Sequence, residues 1–300
     1  MKAKNWAASK IREAKAKRRY NKQTDGSRAI SKKRLPITPM IPKTSSPAVL
    51  HAALHPELSI VVPVYNETGG IERLLLEWSA FLEEEIKDFE LIVVNDGSTD
   101  GTGRLLDKIR QHEKRVRVIH QLNVGHSGAI KRGYEAARGT YVIQVDAGGR
   151  YEPIDALRLW EQRHTSQMVL GTRTHRLDSL LMRSLSFGLH HLLRLAFGLD
   201  VDDANIPFRL FRREALVRTL AQIRKPTRSL NLLLTVQMMR EFPSGVKQIP
   251  VPYRPRAGQK RRTRLSTVSS NTLATLVEIL RLKTGSLSGL RILWARRTQA

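Results

Sequence analysis

The chain of 300 residues is 41% hydrophobic, enough for one α/β domain of roughly 200 to 250 residues with tails. Because it contains no Cys, it has no disulfide framework, thiolate metal site or cysteine nucleophile, and it fits a reducing compartment. Its 52 Lys and Arg against 27 Asp and Glu give a formal charge of +25, which favours an anionic partner: nucleic acid, an anionic membrane surface or a phosphorylated ligand.

The N-terminal segment, residues 1–56, is predicted to be a basic arm outside the folded domain. Residues 1–43 contain 14 Lys or Arg against Glu13 and Asp25, and such like-charged segments usually stay solvated and disordered. A helix over residues 6–20 is the alternative for part of the arm, and a Pro- and Ser-rich linker follows at 35–47. The arm lacks the apolar core of a secretory signal peptide.

The first half of the predicted domain, residues 57–265, alternates between strands and helices. Four apolar runs have the length of strands: 58–64, 89–94, 116–119 and 140–145. Helical spacing of apolar residues separates them at 71–82, 105–109 and 127–138. This alternation predicts an α/β fold with a doubly wound, mostly parallel, Rossmann-like sheet, right-handed crossovers and helices on both faces.

Helices predominate in the second half. They are predicted at 154–163, 180–197, 213–223 and 229–240, with short strands at 168–170 and 246–251. The tail, residues 266–300, is predicted to be an amphipathic, basic helical segment that covers the core or lies on a membrane surface. A spanning helix is disfavoured, because no run of 18 apolar residues occurs and residues 187–199 are interrupted by basic side chains.

Polar residues follow three of the predicted strands. Residues 63–67 read Pro-Val-Tyr-Asn-Glu, residues 95–101 Asn-Asp-Gly-Ser-Thr-Asp-Gly, and residues 146–150 Asp-Ala-Gly-Gly-Arg. Because the carboxyl ends of parallel strands share one edge, we expect these residues to line a single crevice, the usual ligand position in open α/β sheets. The turns after the first two strands would also expose backbone N–H groups and helix N-termini suited to phosphate.

Two of these residues, Asp96 and Asp146, each have two interpretations. Asp96 could accept a hydrogen bond from a nucleotide base, or it could form an Asx-turn or a helix N-cap. Asp146 precedes two glycines, which is ordinary turn chemistry as well as a place for a ligand-facing carboxylate. The turns do not fit G-x-G-x-x-G and the chain has no P-loop motif, which disfavours nicotinamide cofactors and P-loop NTPases.

Taken in order, these motifs resemble the family 2 glycosyltransferases with a GT-A fold. The resemblance rests on residues 63–67, residues 94–101, residues 123–129 (Asn-Val-Gly-His-Ser-Gly-Ala) and the strand ending on Asp146. Residues 171–173 (Gly-Thr-Arg) and 208–213 (Phe-Arg-Leu-Phe-Arg-Arg) are similar to segments of the dolichol- or polyprenyl-phosphate sugar transferase branch. The similarity extends over about residues 58–260.

The resemblance implies inverting transfer of a sugar from a nucleotide-diphosphate donor to a polyprenyl-phosphate-type lipid. Asp146 matches the first carboxylate of the family's Asp-x-Asp, which faces the donor diphosphate and its divalent cation. The positions that hold the nucleoside match Pro63, Tyr65, Glu67 and Asp96. Positions that bind acceptor phosphate fall near Arg173, Arg183 and Ser186, and a mobile basic loop over the diphosphate falls at Arg256 and Lys260.

One departure from the family pattern concerns the metal. The branch often reads Asp-x-Asp-Gly-Gln, whereas this chain has Gly148 and Arg150 at the usual ligand positions. One carboxylate is a thin site for Mg²⁺ or Mn²⁺, so metal affinity is expected to be weakened. Arg150 is expected to replace the metal in part by neutralising the diphosphate leaving group. The alternatives are a cation held by the ligand and neighbouring groups, and a protein that binds nucleotide sugars without turnover.

A general base is not assigned from the sequence. An anionic lipid-phosphate oxygen can attack the anomeric carbon directly, whereas a glycan or protein hydroxyl would need a carboxylate within hydrogen-bond reach. Asp203 is the carboxylate expected to line the site, with a turn or capping role as its alternative. Arg183 could equally be a solvated helix residue.

The expected location is cytoplasmic and peripherally membrane-associated, in a cell-envelope pathway. The basic arm and tail would attach to an anionic leaflet, at about 1 kcal/mol per Lys or Arg near the surface. The branch often has C-terminal spanning helices, which are not found here, so the donor is better indicated than the lipid acceptor. Nucleic-acid binding is disfavoured, because aromatic residues make up only 6% of the chain and no recognised binding module occurs.

Overall fold

The computed structural model describes residues 56–174, 188, 190–195, 197–223 and 226–254. The strands are β1 (Leu58–Val64), β2 (Phe89–Asp96), β3 (Val116–Gln121), β4 (Tyr141–Gln144), β5 (Met168–Arg173), β6 (Arg209–Arg212) and β7 (Val246–Val251). The helices are α1 (Ile71–Glu85), α2 (Thr102–His112), α3 (His126–Ala136), α4 (Pro153–Trp160), α5 (Arg213–Gln222) and α6 (Leu230–Glu241), with a 3-10 turn at Arg163–Thr165.

The seven strands form one mixed sheet in the order β3-β2-β1-β4-β6-β5-β7. Strands β1 to β4 are parallel, β6 runs antiparallel to β4 and β5, and β7 pairs parallel with β5. The first and last strands, β1 and β7, have the predicted bounds. The predicted α/β class and the mostly parallel sheet are confirmed.

Every residue of the central strands β1 and β2 is buried. A strand buried on both faces needs a cover on each side, as in doubly wound folds. Helix α1 contacts α2 and α4, while α3 contacts α5 and α6, so the helices form two separate layers. Helix α3 packs closely against the sheet, because a Cβ atom on Gly133 would collide with Val61. This close packing sets the position of the start of α3 relative to the ends of β1 and β2.

The order of the strands reverses at β1. Strand β2 lies on one side of β1 and β4 on the other, with Val64 opposite Asn95 and Val61 opposite Gln144. In open α/β sheets, ligands bind beyond the carboxyl ends of the strands at such a switch point. The segments that follow β1, β2 and β4 therefore meet at one edge of the sheet, as the sequence predicts.

Strand β6 was not predicted as a strand. It is four residues long and contains Arg209 and Arg212, so it has neither the length nor the apolar pattern of a buried strand. It forms a strand because it pairs with β4 on one side and β5 on the other, where Ile143 and Val169 both lie opposite Leu210. The predicted helix over 154–163 is also shorter, because α4 ends at Trp160 and a 3-10 turn follows.

Several predictions fall wholly or partly on residues that the structure does not describe. The basic arm except Pro56, the tail at 266–300, and most of the predicted helix over 180–197 belong to this group. The described residues of that segment, 188, 190–195 and 197, are helical. Among the residues described, none of the helices combines the length and apolar character required to span a bilayer.

Candidate active site

A cavity of about 280 Å³ opens at the carboxyl edge of the sheet, beside the switch point. Its walls come from the end of β1, the end of β2 and the loop that leads from β3 into α3. The lining residues are Pro63, Val64, Tyr65, Asp96, Asn123, Gly125, His126 and Ala129. Three of the four residues predicted to hold a nucleoside therefore lie together, whereas Glu67 is not among the lining residues.

Asp96 lines the cavity and also holds its wall in place. Its Oδ1 accepts hydrogen bonds from Gln121 Nε2 at 2.8 Å and from the Val124 N–H at 2.9 Å, and its Oδ2 accepts one from the Gly125 N–H at 3.0 Å. Each carboxylate oxygen has two acceptor positions, so Oδ2 can still accept a bond from a ligand. Because its partners lie 25 to 29 residues away, Asp96 forms neither the Asx-turn nor the helix N-cap that was the alternative to a ligand role.

The loops after β1 and β2 are tied to each other at the rim of the cavity. Asn66, in the left-handed region at φ 55°, accepts a hydrogen bond from the Thr99 N–H at 2.8 Å. Asp100 accepts from Thr68 and from Thr102. Burial alone would raise the pKa of Asp100, but these hydrogen bonds outweigh it and lower the pKa to about 2. The two loops are therefore joined directly to each other at the rim.

Asp146 lies beside the cavity with a basic side chain on each of its oxygens. Its Oδ2 is 3.4 Å from Arg150 Nη1, and its Oδ1 is 3.9 Å from Nε2 of His126, which is itself a lining residue. Oδ1 is buried and has no hydrogen-bond partner within the described part of the chain. His126, the first residue of α3, thus connects the cavity to the predicted catalytic carboxylate.

The guanidinium of Arg150 covers Gly148. A Cβ atom on Gly148 would lie 3.2 Å from Arg150 Nη1 and 3.4 Å from its Cζ. A larger side chain at position 148 would therefore have to displace the guanidinium. The space that an acidic side chain would use at this position is taken by a basic one.

These residues do not fit a dedicated site for a divalent cation. Mg²⁺ and similar hard cations require several oxygen ligands, and Asp146 is the carboxylate available beside His126 and Arg150. Across residues 56–254, as far as they are described, no group of three or more His, Asp or Glu side chains could hold a metal ion. The expectation of a weakened metal site is consistent with this donor set.

A second polar group lies at the end of β5. Arg173 Nε donates a hydrogen bond of 2.6 Å to Asp203 Oδ2, and its guanidinium lies 5.3 Å from the centre of the Tyr253 ring. Tyr151 stacks on Phe208 at 4.4 Å, and its buried hydroxyl has no hydrogen-bond partner among the described residues. Burial raises the pKa of Tyr151 far above its ordinary value, although the nearby Arg173 opposes this effect. The predicted acceptor residue Arg173 is thus paired with the predicted carboxylate Asp203.

Arg209 anchors the loop that carries Asp203. This arginine is fully buried and donates to the carbonyl oxygens of Ala204, Ile206 and Asn231. Burial lowers the pKa of Arg209 to about 10. A buried guanidinium with backbone acceptors is expensive to desolvate but satisfied, so its role is to hold the loop beside Arg173.

The basic segment after β7 begins next to Arg150. The Arg254 N–H donates to the Arg150 carbonyl at 3.2 Å, and the Arg254 guanidinium pairs with Asp155 at 2.6 Å and Glu152 at 3.1 Å. The segment predicted to cover the diphosphate therefore starts at the site. Four predicted residues lie outside the described part of the chain: Arg183, Ser186, Arg256 and Lys260.

The sequence did not single out His126 or Tyr151 as site residues. His126 lies in a quoted motif and begins a helix at the ligand edge of the sheet, which is a signal that could have identified it. Tyr151 follows Arg150 directly, but its position between the Phe208 and Tyr253 rings depends on distant segments.

Comparison with known proteins identifies relatives along the same part of the chain. Residues 59–220 match the family described as Glycosyl transferase family 2. The dolichyl-phosphate beta-glucosyltransferase of Dictyostelium discoideum is 32% identical over 181 residues, covering 54% of this chain and 55% of that protein. The undecaprenyl-phosphate 4-deoxy-4-formamido-L-arabinose transferase of Aeromonas hydrophila is 32% identical over 162 residues, covering 53% of this chain and 50% of that protein. The chain spans about half the length of these curated relatives.

Solved structures share the fold. Glucosyl-3-phosphoglycerate synthase from Mycobacterium tuberculosis, in complex with phosphoglyceric acid, has a TM-score of 0.59 at 20% identity and covers 79% of this chain and 82% of its own. The same enzyme in complex with Mn²⁺ and uridine-diphosphate-glucose has a TM-score of 0.57 at 20% identity, covering 79% and 81%. These similarities confirm the predicted GT-A-like fold. The family match covers more than half of the residues of this chain, and the chain therefore belongs to glycosyl transferase family 2.

Proposed function

We propose that the chain is an inverting glycosyltransferase that moves a sugar from a nucleotide-diphosphate donor to a polyprenyl-phosphate-type lipid. The observation that supports this most is that the cavity and Asp146 are adjacent. His126 lines the cavity, and its Nε2 lies 3.9 Å from Asp146 Oδ1. The names of the relatives with dolichyl and undecaprenyl phosphate acceptors support the acceptor class.

In this proposal the nucleoside binds in the cavity between Pro63, Tyr65 and Asp96, with Glu67 at its edge. The base donates a hydrogen bond to Asp96, whose carboxylate is held rigid by the loop it supports. The diphosphate extends toward His126 and Arg150, and the start of α3 adds the positive end of a helix dipole. Arg256 and Lys260 follow Arg254 in sequence and would close over the diphosphate.

The transfer itself is a single displacement at the anomeric carbon. An electron pair on the acceptor phosphate oxygen forms the new bond to that carbon. The bond to the donor's β-phosphate oxygen breaks, and the nucleoside diphosphate leaves with its electron pair. The anionic acceptor needs no general base. In this scheme Arg173, oriented by Asp203, binds the acceptor phosphate together with Arg183 and Ser186, and Arg150 neutralises the leaving group.

For the cofactor, we propose that Mg²⁺ or Mn²⁺ is at most a weak partner of this site, because Asp146 is flanked by Arg150 where further acidic ligands are expected. For the location, we propose peripheral association with the cytoplasmic face of an anionic membrane through the basic segments that precede and follow the domain.

The proposal is tested by a transfer assay that varies only the acceptor. Radiolabelled nucleotide sugars of uridine, guanosine, cytidine and thymidine are incubated with the protein and anionic vesicles that contain either a polyprenyl phosphate or the matching polyprenol. Transfer to the phosphate alone is expected. Transfer only to the hydroxyl of the polyprenol would overturn the lipid-phosphate assignment. Nucleotide-sugar binding without transfer to any acceptor would indicate a protein that binds the donor without turnover. Gly148 makes this a specific alternative, because the family pattern has an acidic residue at that position.

A further inference from the structure

We infer that Arg150, held by Asp146, occupies the place of the divalent cation, so that this chain binds the diphosphate of its donor without a metal. The inference rests on the proposed function, because it assumes a nucleotide-diphosphate donor. It goes beyond a weakened metal site, since it assigns the binding of the diphosphate to one side chain of the chain itself.

Position 148 leaves little room beside Arg150. The guanidinium lies over Gly148, and its Nη1 is 3.4 Å from Asp146 Oδ2. A Cβ atom at position 148 would lie 3.2 Å from Arg150 Nη1, so the guanidinium would have to shift by a few tenths of an ångström to make room for it. The space next to Asp146 is therefore held by a guanidinium, and Gly148 is the residue that leaves room for it.

Asp146 lies between two basic side chains. A carboxylate that binds a divalent cation needs further anionic or neutral oxygen ligands around it. Here the two oxygens of Asp146 face His126 at 3.9 Å and Arg150 at 3.4 Å. A cation at this carboxylate would lie next to a permanent positive charge, because the arginine side chain stays protonated in proteins. Asp146 is therefore a positioning residue for Arg150 in this chain.

The backbone of Arg150 is held by its neighbours. Its carbonyl accepts a hydrogen bond from Arg254 at 3.2 Å, and Tyr151, the next residue, is buried against Phe208. Helix α4 begins two residues later behind a capping box formed by Glu152 and Asp155. These contacts fix the point from which the Arg150 side chain extends, and the 3.4 Å contact with Asp146 holds its guanidinium.

The chemistry of the guanidinium suits the ligand. Its planar fork can donate two parallel hydrogen bonds to the oxygens of a phosphate, which a point charge such as Lys cannot do. Arg150 is 29% exposed, so it is accessible from the site while Asp146 holds one side of it. The diphosphate, and not the nucleoside, is the part of the donor that Arg150 should recognise.

The test is calorimetric binding with the full chain. UDP, GDP, CDP and dTDP are titrated with Mn²⁺ and again with EDTA, and the nucleotide that binds is compared with its own monophosphate. The dissociation constant of the diphosphate is expected to change by less than about threefold on addition of EDTA. Arg150→Ala is expected to weaken diphosphate binding about tenfold and to leave monophosphate binding unchanged, which also shows that the variant is folded. Arg110→Ala, an exposed arginine of α2 paired with Asp107, is the control for the loss of one positive charge.

An exchange of the two residues makes the test stricter. In Gly148→Asp/Arg150→Gln, an acidic side chain replaces the guanidinium, and diphosphate binding is expected to require Mn²⁺. Diphosphate binding by the unaltered chain that disappears with EDTA would overturn the inference and leave the proposed function intact. Metal-independent binding that Arg150→Ala does not weaken would overturn it as well. A chain that binds none of the four nucleotides in either condition would contradict both the inference and the proposed function.

Discussion

Arg173 and Asp203 form an ion pair of 2.6 Å that joins the last residue of β5 to the loop before β6. Asp203 was expected to line the site, and Arg173 to bind the acceptor phosphate. Because Asp203 Oδ2 is engaged by Arg173, we assign it the role of orienting the guanidinium. An anionic acceptor needs Asp203 only to orient Arg173. A hydroxyl acceptor would need a general base such as Asp203 to remove its proton.

Asp203→Asn should therefore affect acceptor binding more than chemistry. With a polyprenyl phosphate acceptor, we expect the acceptor KM to rise about tenfold, as for the loss of a hydrogen bond to a charged group, and the pH profile of kcat to keep its shape. Steady-state kinetics between pH 6 and 9 would check this. Asp202→Asn, an exposed neighbour, is the control. A fall in kcat of about a hundredfold or more, with a changed pH profile, would identify Asp203 as a general base.

Asp96→Asn should destabilise the wall of the cavity and weaken nucleotide binding. The amide has a single acceptor oxygen, so at least one of the three hydrogen bonds from Gln121, Val124 and Gly125 is lost. We expect a loss of about 1–3 kcal/mol in the free energy of unfolding, together with weaker nucleotide binding. Urea unfolding and calorimetry measure the two effects.

Asp107→Asn is the control for Asp96, because its contacts with Arg110 on α2 and His120 on β3 are exposed and should contribute at most about 1 kcal/mol. Weaker nucleotide binding without any loss of stability in Asp96→Asn would show that Asp96 contacts the ligand but does not support the loop.

Arg209→Met should destabilise the domain by about 2–4 kcal/mol, because the carbonyl oxygens of Ala204, Ile206 and Asn231 would lose a buried donor. Chemical denaturation of this variant and of Arg212→Met, a less buried position in the same strand, measures the difference. Equal stability of the two variants would contradict an anchoring role for Arg209.

The tie between the loops after β1 and β2 should depend on pH only in the acid range. The pKa of Asp100 falls from 3.8 to about 2 on folding, so its contribution to stability is present above its ordinary pKa and is lost as the pH falls through about 2. Unfolding free energies of the unaltered chain and Asp100→Asn, measured from pH 2 to 7, should differ by a constant amount above about pH 4 and converge below it. A difference as large at pH 2 as at pH 7 would assign the effect to the shape of the side chain.

The strand ends could be predicted because their physics is local. Apolar runs that stop at Asp96 and Asp146 place both carboxylates at the same edge once the alternation of strands and helices implies a parallel sheet. The hypothesis that Arg150 partly replaces the metal came from comparing one local motif with the pattern of the family that the sequence resembles. Its contact with Gly148 follows from the turn between them.

The remaining features depend on contacts between distant segments. Arg209 looks like a solvated residue in the sequence, and only its acceptors from two other segments allow it to be buried in β6. The Arg173–Asp203 pair joins residues 30 positions apart. His126 acquires a role only when α3, through Gly133, packs on β1 and brings it beside Asp146. Neither hydrophobic periodicity nor motif spacing predicts contacts between segments so far apart in the sequence.

The central claim is sugar transfer with inversion to a lipid phosphate, and a single-turnover experiment tests it most directly. Protein in excess over a radiolabelled nucleotide sugar is mixed with vesicles containing polyprenyl phosphate, and the anomeric configuration of the product is determined by NMR. The account predicts one equivalent of polyprenyl-phosphate sugar with the configuration opposite to that of the donor. Retention of configuration, or full occupancy by the nucleotide sugar with no transfer, would contradict it.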